Sequence, residues 1–191
     1  MDIDYSSFIK NLSLPHQGEV IFFPGSFNPL HKGHLEIIKK LPPEIPLRII
    51  HDQNPQKNSQ EQPQDLKDLI TQVRNKNIII NKDFLQLKET KNYTFNWLKK
   101  IKALHPKLNL SLAMGFDQLS NLFTWYQAES LLQTLTSIYW ISRKESDEEK
   151  DICYNEIKKC CPKINLIYLG QHSYEDLSSS QIREKATLKN D

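Results

Sequence analysis

The fold is decided by residues 20–35, which have the sequence VIFFPGSFNPLHKGHL. The stretch begins with an apolar run of β-branched and aromatic residues at 20–23, which is typical of a strand buried on both faces. A turn punctuated by Gly25 and Pro29 follows, and apolar residues at helical spacing begin at Leu35. A strand, a glycine turn and a helix N-terminus together present backbone N–H groups and a positive helix end. The stretch therefore predicts a phosphate-binding site between a first strand and a first helix.

Two histidines, His31 and His34, flank Gly33 on the first turn of that helix. Their rings add hydrogen-bond donors that a polyphosphate can use. Gly33 has no Cβ, so that a ligand can approach the backbone closely. The alternative interpretation is that both histidines lie on the surface or cap an ordinary loop, which needs no ligand.

Short apolar runs alternate with segments of helical spacing along the rest of the chain. Strands are predicted near residues 47–51, 78–80, 108–114, 136–142 and 164–169, and helices near 33–41, 93–104, 116–126 and 147–160. This alternation is typical of βαβ units and a parallel sheet with helices on both faces. Ligands bind such sheets at the carboxyl ends of the strands, where the strand order reverses. His31, His34 and Asp117 follow strands, as do residues 179–183, and we expect them at that edge.

A second candidate motif lies near the end of the chain, where residues 178–183 read SSSQIR. Serines at a helix start favour capping or leave backbone N–H groups for an anion. Arg183, one turn later, has a guanidinium fork that matches phosphate oxygens. The alternative is a capped helix with a solvated arginine.

These motifs resemble those of a known enzyme superfamily. HKGH at residues 31–34 resembles the HxGH motif of the nucleotidyltransferases, and LSSSQIR at 177–183 resembles their ISSTxIR motif. NYT at 92–94, GFDQL at 115–119 and TWY at 124–126 are similar to patterns of the bacterial nicotinate-nucleotide adenylyltransferases. The resemblance implies a single, Rossmann-like domain with a doubly wound parallel sheet. It also implies transfer of AMP from ATP to nicotinate mononucleotide, which gives deamido-NAD and pyrophosphate.

The resemblance assigns roles to individual residues of this sequence. The implied catalytic residues are His31, His34 and Arg183. The implied ATP-binding residues are Gly25, Ser26, Phe27, Gly33, Gly115, Asp117, Ser179, Ser180 and Arg183. The implied mononucleotide-binding residues are Phe27, Asn28, Lys57, Thr94, Trp125 and Tyr126. Mg²⁺ would arrive with ATP, and no metal site made of protein ligands is expected.

Several alternatives stay open on the sequence alone. Trp125 and Tyr126 could form a core pair on a helix, since aromatic side chains bury large areas, and Asp117 could be an N-cap. If the aromatic pair is core, a nucleotidyltransferase for another phosphorylated metabolite is favoured. The other alternative is a nucleotide-binding homologue without turnover. Asn28 stands where these enzymes commonly have Asp, and residues 54–57 match their PPHK stretch only in part.

Composition and charge narrow the class of protein. The 191 residues suit one domain, which we expect over 19–191 after an N-terminal preamble of residues 1–18. The net charge of +2 and the scattered lysines give no reason to expect nucleic acid as a partner, and no apolar run reaches the ~20 residues of a membrane helix. Cys153, Cys160 and Cys161 lack the C-x-x-C spacing and predict reduced thiols in a cytoplasmic protein. The oligomeric state stays open, and a homo-oligomer is one alternative.

Overall fold

The computed structural model describes residues 3–27, 31–51, 77–86 and 92–171. In these ranges the chain forms one six-stranded sheet. The strands are β1 (Gly18–Gly25), β2 (Leu47–His51), β3 (Ile78–Asn81), β4 (Leu108–Gly115), β5 (Ser137–Ser142) and β6 (Asn165–Gln171). Every pairing is parallel and the strand order is β3-β2-β1-β4-β5-β6. The predicted α/β class with a doubly wound parallel sheet is confirmed.

Six α-helices accompany the sheet in the same ranges. They are α1 (Ser6–Asn11), α2 (Lys32–Lys40), α3 (Thr94–Leu104), α4 (Phe116–Ser120), α5 (Ala128–Thr134) and α6 (Asp147–Cys160), with 3₁₀ turns at Asp83–Gln86 and Leu122–Thr124. Side chains of α1, α3, α5 and α6 pack on one face of the sheet, and those of α2 pack on the other. None of the helices in the described ranges is long and apolar enough to cross a membrane.

The central strand β1 is buried on both faces because its residues alternate between two cores. Val20 and Phe22 lie in the larger core, together with Trp97 of α3. Ile21 and Phe23 lie in the smaller core, which includes the apolar side of α2. Successive side chains of a strand point to opposite faces, so the part of a central parallel strand that is covered on both faces is apolar at successive positions. The burial predicted for this run is confirmed.

The carboxyl ends of β1, β2 and β4 lie side by side at the place where the strand order reverses. β2 and β3 lie on one side of β1, and β4, β5 and β6 lie on the other. The last residue of β1, Gly25, is paired with the last residue of β2, His51. β4 ends at Gly115 and leads directly into α4. A crevice for ligands is expected at this reversal point in an open parallel sheet.

The segment after β4 differs from the single helix predicted over residues 116–126. The chain instead forms the short α4, a 3₁₀ turn, and α5, which the sequence analysis did not predict. The side-chain amide of Asn121 donates to the carbonyl of Asp117, and the hydroxyl of Thr124 donates to the carbonyl of Asn121. Such local bonds compete with helix continuation. Gln127 then has a left-handed backbone with φ of 54°, which separates the two helices.

The described part of the N-terminal preamble is held to the sheet through a buried arginine of β2. Arg48 is 5% exposed, and its Nε donates to the carbonyl of Leu12 at 2.5 Å while Nη2 donates to the carbonyl of Ser13 at 2.8 Å. Its Nη1 donates to the carbonyls of Leu47 and Asn77. The preamble therefore packs on the sheet at the amino ends of the strands. The domain boundary after residue 18 stays a prediction.

Candidate active site

The turn after β1 is shaped around the side chain of Phe27. This residue has a left-handed backbone with φ of 43°, and its ring is only 2% exposed. A Cβ added at Gly25 would lie 3.0 Å from Cζ of that ring, which is tighter than an ordinary van der Waals contact, so that the ring would have to shift by a few tenths of an ångström. Gly25 therefore makes room for Phe27, in addition to allowing close approach by a ligand.

The Phe27 ring lies between two histidines at the edge of the smaller core. It packs edge-to-face against His34, with ring centroids 5.2 Å apart, and against His51, with centroids 5.8 Å apart. Phe23 of β1 packs on it as well, at 5.2 Å. Because the ring is buried, contact between Phe27 and a nucleotide would use its backbone rather than its aromatic face. Its side chain fixes the positions of the two imidazoles.

The two histidines of the HKGH stretch cap α2 reciprocally. His31 is the N-cap, and its Nδ1 accepts a hydrogen bond from the Gly33 N–H at 3.1 Å. The His31 N–H donates in turn to Nδ1 of His34 at 3.3 Å. The two rings are stacked, with centroids 3.9 Å apart and planes 27° apart. The alternative of capping histidines is thus true of this structure, and it is compatible with a role toward a ligand.

This capping arrangement fixes which ring atoms can donate. A neutral imidazole has one N–H and one acceptor nitrogen. Since Nδ1 accepts a backbone N–H in both His31 and His34, the proton of each neutral ring is on Nε2. The N–H groups of Gly33 and His34 are engaged with His31, through Nδ1 and the carbonyl respectively. Donation to a phosphate at this turn would therefore come from the imidazole Nε2–H groups, not from these two backbone groups as the sequence predicted.

Asp117 lies on the neighbouring strand end, in the first turn of α4. The N-cap of that helix is Gly115, and no side chain caps it. The alternative in which Asp117 is the N-cap is therefore wrong. A Cβ at Gly115 would lie 2.5 Å from Oδ1 of Asp117, so the glycine allows the carboxylate to fold back over the strand end. Asp117 is exposed.

Three of the residues predicted to bind the mononucleotide, Thr94, Trp125 and Tyr126, lie near the start of α3. Thr94 is the first residue of that helix and Tyr93 is its N-cap. The ring of Tyr93 stacks on Tyr126, with centroids 4.4 Å apart and planes 21° apart. Tyr126 is 47% exposed, and Trp125 is half-buried against the larger core. Trp125 and Tyr126 are therefore not a buried core pair, which was the alternative interpretation of the sequence. One side of Trp125 does pack on the core.

His51 is a candidate site residue that the sequence analysis did not single out. It is the last residue of β2, is 3% exposed, and its Nδ1 has no hydrogen-bond partner. Burial lowers the pKa of His51, a hydrogen bond with the Ser26 backbone raises it, and the Lys82 charge lowers it, with a net lowering. The sequence did contain a signal for His51, because a titratable residue ends an apolar run that was predicted to be a strand of the parallel sheet.

Five of the predicted site residues lie outside the described residues. They are Asn28, Lys57, Ser179, Ser180 and Arg183. Their roles stay predictions based on the motifs. Within the described ranges, no group of three or more His, Cys, Asp and Glu side chains is placed to hold a metal ion.

Comparison with known proteins shows the family of the chain. A family model described as Cytidylyltransferase-like matches residues 22–185. A protein of Pelagibacter ubique named probable nicotinate-nucleotide adenylyltransferase is 30% identical over 171 residues, which cover 84% of this chain and 89% of that protein. A protein of the same name from Lactiplantibacillus plantarum is 26% identical over 182 residues, covering 91% of this chain and 78% of that protein.

Solved structures share the fold. The Plasmodium falciparum nicotinic acid mononucleotide adenylyltransferase complexed with APC superposes with a TM-score of 0.65 and 23% identity, over 87% of this chain and 82% of that one. The same enzyme complexed with NaAD gives a TM-score of 0.59 and 24% identity, over 88% and 83% of the two chains. At such identities the likeness shows the fold alone, whereas the family model and the Pelagibacter relative span most of the sequence. The chain therefore belongs to the cytidylyltransferase-like family and, within it, to the nicotinate-nucleotide adenylyltransferase family that its motifs resemble.

Proposed function

We propose that this chain transfers AMP from ATP to nicotinate mononucleotide, giving deamido-NAD and pyrophosphate. An oxygen of the mononucleotide 5′-phosphate forms a bond to the α-phosphorus of ATP. The bond from that phosphorus to the bridging oxygen breaks, and the electron pair leaves with pyrophosphate. The observation that carries the proposal is the reciprocal capping of His31 and His34 at the reversal point of the sheet, in a chain whose relatives bear the name of this activity.

The reaction needs positioning and charge stabilisation more than a protein base. The attacking phosphate is already anionic at neutral pH. Two anionic substrates must be held in line, and donors must face the negative charge that develops on the leaving group. A neutral imidazole with its proton on Nε2 offers one fixed donor. The cap on Nδ1 prevents each ring from turning that donor away.

His31 and His34 would contact the phosphates of ATP, with His34 nearest the bridge between the α- and β-phosphates. Phe27 supports this placement, because its buried ring packs on His34. Gly25 and Ser26 would lie with their backbone close to the phosphates, and Gly33, which has no Cβ, would let the phosphates approach the turn. Gly115 and Asp117 would face the adenosine. Ser179, Ser180 and Arg183 would bind the β- and γ-phosphates, as the motif implies.

Mg²⁺ would enter as part of the Mg-ATP substrate and neutralise phosphate charge. Asp117 is the only predicted site residue with a carboxylate, and one carboxylate does not make a metal cage of protein ligands. We therefore propose that phosphate oxygens and water hold the ion. The residues at the turn would bind and orient the phosphates that carry it.

The mononucleotide would lie toward α3. Trp125 is half-buried, so one side is fixed on the core while the rest remains accessible for a pyridine ring. The exposed Tyr126 stacks on Tyr93, and Thr94 follows Tyr93 at the start of α3. Phe27, Asn28 and Lys57 would complete the subsite. We also propose that the reaction takes place in the cytoplasm, because all three cysteines are free thiols.

The first test is pyrophosphate release from Mg-ATP, measured in parallel with nicotinate mononucleotide and nicotinamide mononucleotide. We expect release with the acid form and formation of deamido-NAD. Release of pyrophosphate only with another phosphorylated metabolite would contradict nicotinate mononucleotide as the substrate. A rise in Tm with ATP, without release from any mononucleotide, would contradict the activity and support a homologue that binds but does not turn over.

A variant of His34 tests the proposed chemistry. His34→Ala should lower kcat by ~10²–10³-fold if Nε2 stabilises the leaving charge. His34→Asn is the matched variant, because its amide oxygen can replace Nδ1 as the acceptor of the cap but offers nothing at the position of Nε2. Both variants should lose kcat, and His34→Asn should keep more of the stability of the cap. Near-normal kcat in His34→Asn would contradict the role of His34.

A further inference from the structure

Four aromatic side chains join α1, the helix of the N-terminal preamble, to the first turn of α3. Phe8 of α1 stacks on Phe84, with ring centroids 4.2 Å apart, and packs edge-to-face on Trp97 at 5.7 Å. Tyr5, the N-cap of α1, packs edge-to-face on Phe84 at 6.1 Å. All four rings are buried. Because Trp97 is the fourth residue of α3, the preamble contacts that helix near its start.

A hydrogen bond extends this contact to the chain just before α3. The Tyr5 hydroxyl donates to Oδ1 of Asn92 at 3.1 Å. Asn92 is followed by Tyr93, the N-cap of α3, and by Thr94, its first residue. Tyr5 is buried, and a hydrogen bond that is partly shielded from water is stronger than an exposed one. The preamble therefore holds the chain where it enters α3.

The start of α3 depends on such contacts, because the described residues give it no side-chain cap. Its N-cap, Tyr93, makes no capping hydrogen bond, and its first turn contains no acidic residue. These are the local features that stabilise many helix N-termini. The Tyr93 ring stacks on Tyr126, with centroids 4.4 Å apart. Contacts to two other segments, the preamble and Tyr126, thus help to fix the entry to α3.

The preamble reaches from one edge of the sheet to the other. α3 follows β3 and leads to the amino end of β4, so in this parallel sheet the start of α3 lies on the carboxyl side. Tyr5, at the start of α1, contacts that region. Leu12, the C-cap of α1, accepts a hydrogen bond from Arg48 near the amino end of β2. The start of α1 therefore lies toward the edge where ligands bind in this architecture.

We propose that Tyr5 is a positioning residue for the mononucleotide subsite, an inference that rests on the proposed function. Through its hydrogen bond to Asn92 it holds the entry to α3, and it thereby fixes Tyr93 and Thr94 relative to Tyr126. A binding site works only when its residues are held within about 0.5 Å of the productive geometry. A shift at the entry to α3 would therefore weaken binding of the mononucleotide.

The effect should be confined to the mononucleotide, because the two substrates would meet opposite faces of the sheet. Tyr5 and α1 pack in the larger core. The turn proposed to bind the ATP phosphates lies at the smaller core, where the Phe27 ring contacts His34. Loss of the Tyr5 hydroxyl should therefore leave the arrangement of the phosphate turn unchanged.

Two substitutions in the preamble separate this role from a structural one. Tyr5→Phe removes the hydroxyl and keeps the ring that packs on Phe84. Asn11→Ala is the matched control, because Asn11 ends α1 and its side-chain amide donates to Asp83 at 3.0 Å, outside α3. For each protein we would measure the KM for nicotinate mononucleotide at saturating Mg-ATP, the KM for Mg-ATP at saturating mononucleotide, kcat and Tm.

The two variants should differ in one kinetic constant. Tyr5→Phe is expected to raise the KM for nicotinate mononucleotide by roughly two- to tenfold, the range of one neutral hydrogen bond. Its KM for ATP and its kcat should match those of the wild type. Asn11→Ala is expected to keep all of the kinetic constants, even where its Tm is lower.

A double-mutant cycle tests whether the hydroxyl acts through Asn92. Asn92→Leu keeps a side chain of similar shape that cannot accept the hydrogen bond. If both substitutions break the same bond, Tyr5→Phe should raise the KM for the mononucleotide little further in the Asn92→Leu background. A merely structural bond would show this coupling in Tm and not in KM.

Other results overturn the proposal. If Tyr5→Phe keeps the wild-type KM for the mononucleotide, the hydroxyl serves the fold alone. If it raises the KM for ATP equally, or if Asn11→Ala raises the KM for the mononucleotide as much, the preamble acts through general stability. If the effects of Tyr5→Phe and Asn92→Leu on KM add, Tyr5 does not act through Asn92.

The wild type distinguishes failure of this inference from failure of the proposed function. A wild-type protein that turns over no mononucleotide would overturn the proposed function and this inference with it. Normal turnover by the wild type, with the same KM for the mononucleotide in Tyr5→Phe, would overturn the inference alone.

Discussion

Arg48 and His51 lie three residues apart in β2, and both are buried, yet the structure satisfies one of them fully and leaves the other partly unpaired. Arg48 donates four hydrogen bonds to backbone carbonyls, whereas Nδ1 of His51 has no partner. Burial lowers the pKa of both groups. A guanidinium nevertheless stays charged at neutral pH, while the imidazole becomes neutral.

The difference follows the direction of the strands. At the amino ends, polar groups bind the protein to itself: Arg48 holds the preamble, and Glu19 accepts hydrogen bonds from Ser111 at 2.5 Å and Tyr139 at 3.2 Å. At the carboxyl ends, His34 and His51 are positioned by packing against Phe27. We infer that the amino edge maintains the fold and the carboxyl edge serves substrates. Variants at the two edges should therefore separate stability from activity.

The largest effect on stability is expected at the amino edge. Arg48→Met should lower the free energy of unfolding by about 3 kcal/mol or more, because four carbonyl oxygens lose their donor. Arg48→Lys is the matched control, because lysine keeps the charge but lacks the guanidinium fork, and its free energy of unfolding should fall by less. Urea denaturation measures both values. A loss under about 1 kcal/mol in Arg48→Met would show that this network does not hold the preamble to the sheet.

Two glycines of β1, one at each edge, give the next comparison. Gly25→Ala should lower stability by about 1–3 kcal/mol and also lower kcat, because its Cβ displaces the Phe27 ring on which His34 packs. Gly18→Ala is strained by its φ of 98° but has nothing within 4 Å of the added Cβ. The free energy of unfolding of Gly18→Ala should fall by about 1 kcal/mol, and its kcat should stay unchanged. Equal losses of kcat in the two variants would contradict the division between the edges.

The smallest effect at neutral pH is expected for Tyr139, and it depends on pH. Tyr139→Phe should lower the free energy of unfolding by about 0.5–1.5 kcal/mol at neutral pH through loss of one hydrogen bond to Glu19. Burial and Glu19 raise the pKa of Tyr139 to about 12. A raised pKa means that the contribution is complete below the unfolded pKa of 10 and is lost as the pH rises toward 12.

Measurements of unfolding at neutral pH and near pH 11 check this prediction. The stability of the wild type should fall toward that of Tyr139→Phe, or below it, as the pH rises. A difference between the two proteins that stays constant with pH would mean that the phenol is not held in its neutral form.

Much of the fold could be predicted because local signals agreed with tertiary structure. The run at residues 20–23 is apolar at every position, and the central strand of the sheet requires that pattern. α6 has the predicted bounds, Asp147–Cys160, since Ser146 and Glu149 form a capping box at its start. α5 was missed, because the break before it depends on Gln127 adopting a left-handed backbone. No local pattern at a glutamine signals that conformation.

The sequence predicted the position of the candidate site in the fold but not its detailed contacts. The motif predicted His31 and His34 as site residues, and the sheet places them at the reversal point. The sequence could not show that Nδ1 of each ring caps α2, which moves the donors to Nε2. It also could not show that Phe27 is buried between His34 and His51, because that contact joins β1, α2 and β2 in space.

The most direct test of the account follows the α-phosphorus of ATP. The protein is incubated with nicotinate mononucleotide and Mg-ATP labelled at that atom, and the products are separated. We expect the label in deamido-NAD, in equal amount with released pyrophosphate, and its transfer to be strongly reduced in His34→Asn. Label that stays in ATP, or that appears in ADP or free AMP without dinucleotide, would contradict adenylyl transfer at this edge of the sheet.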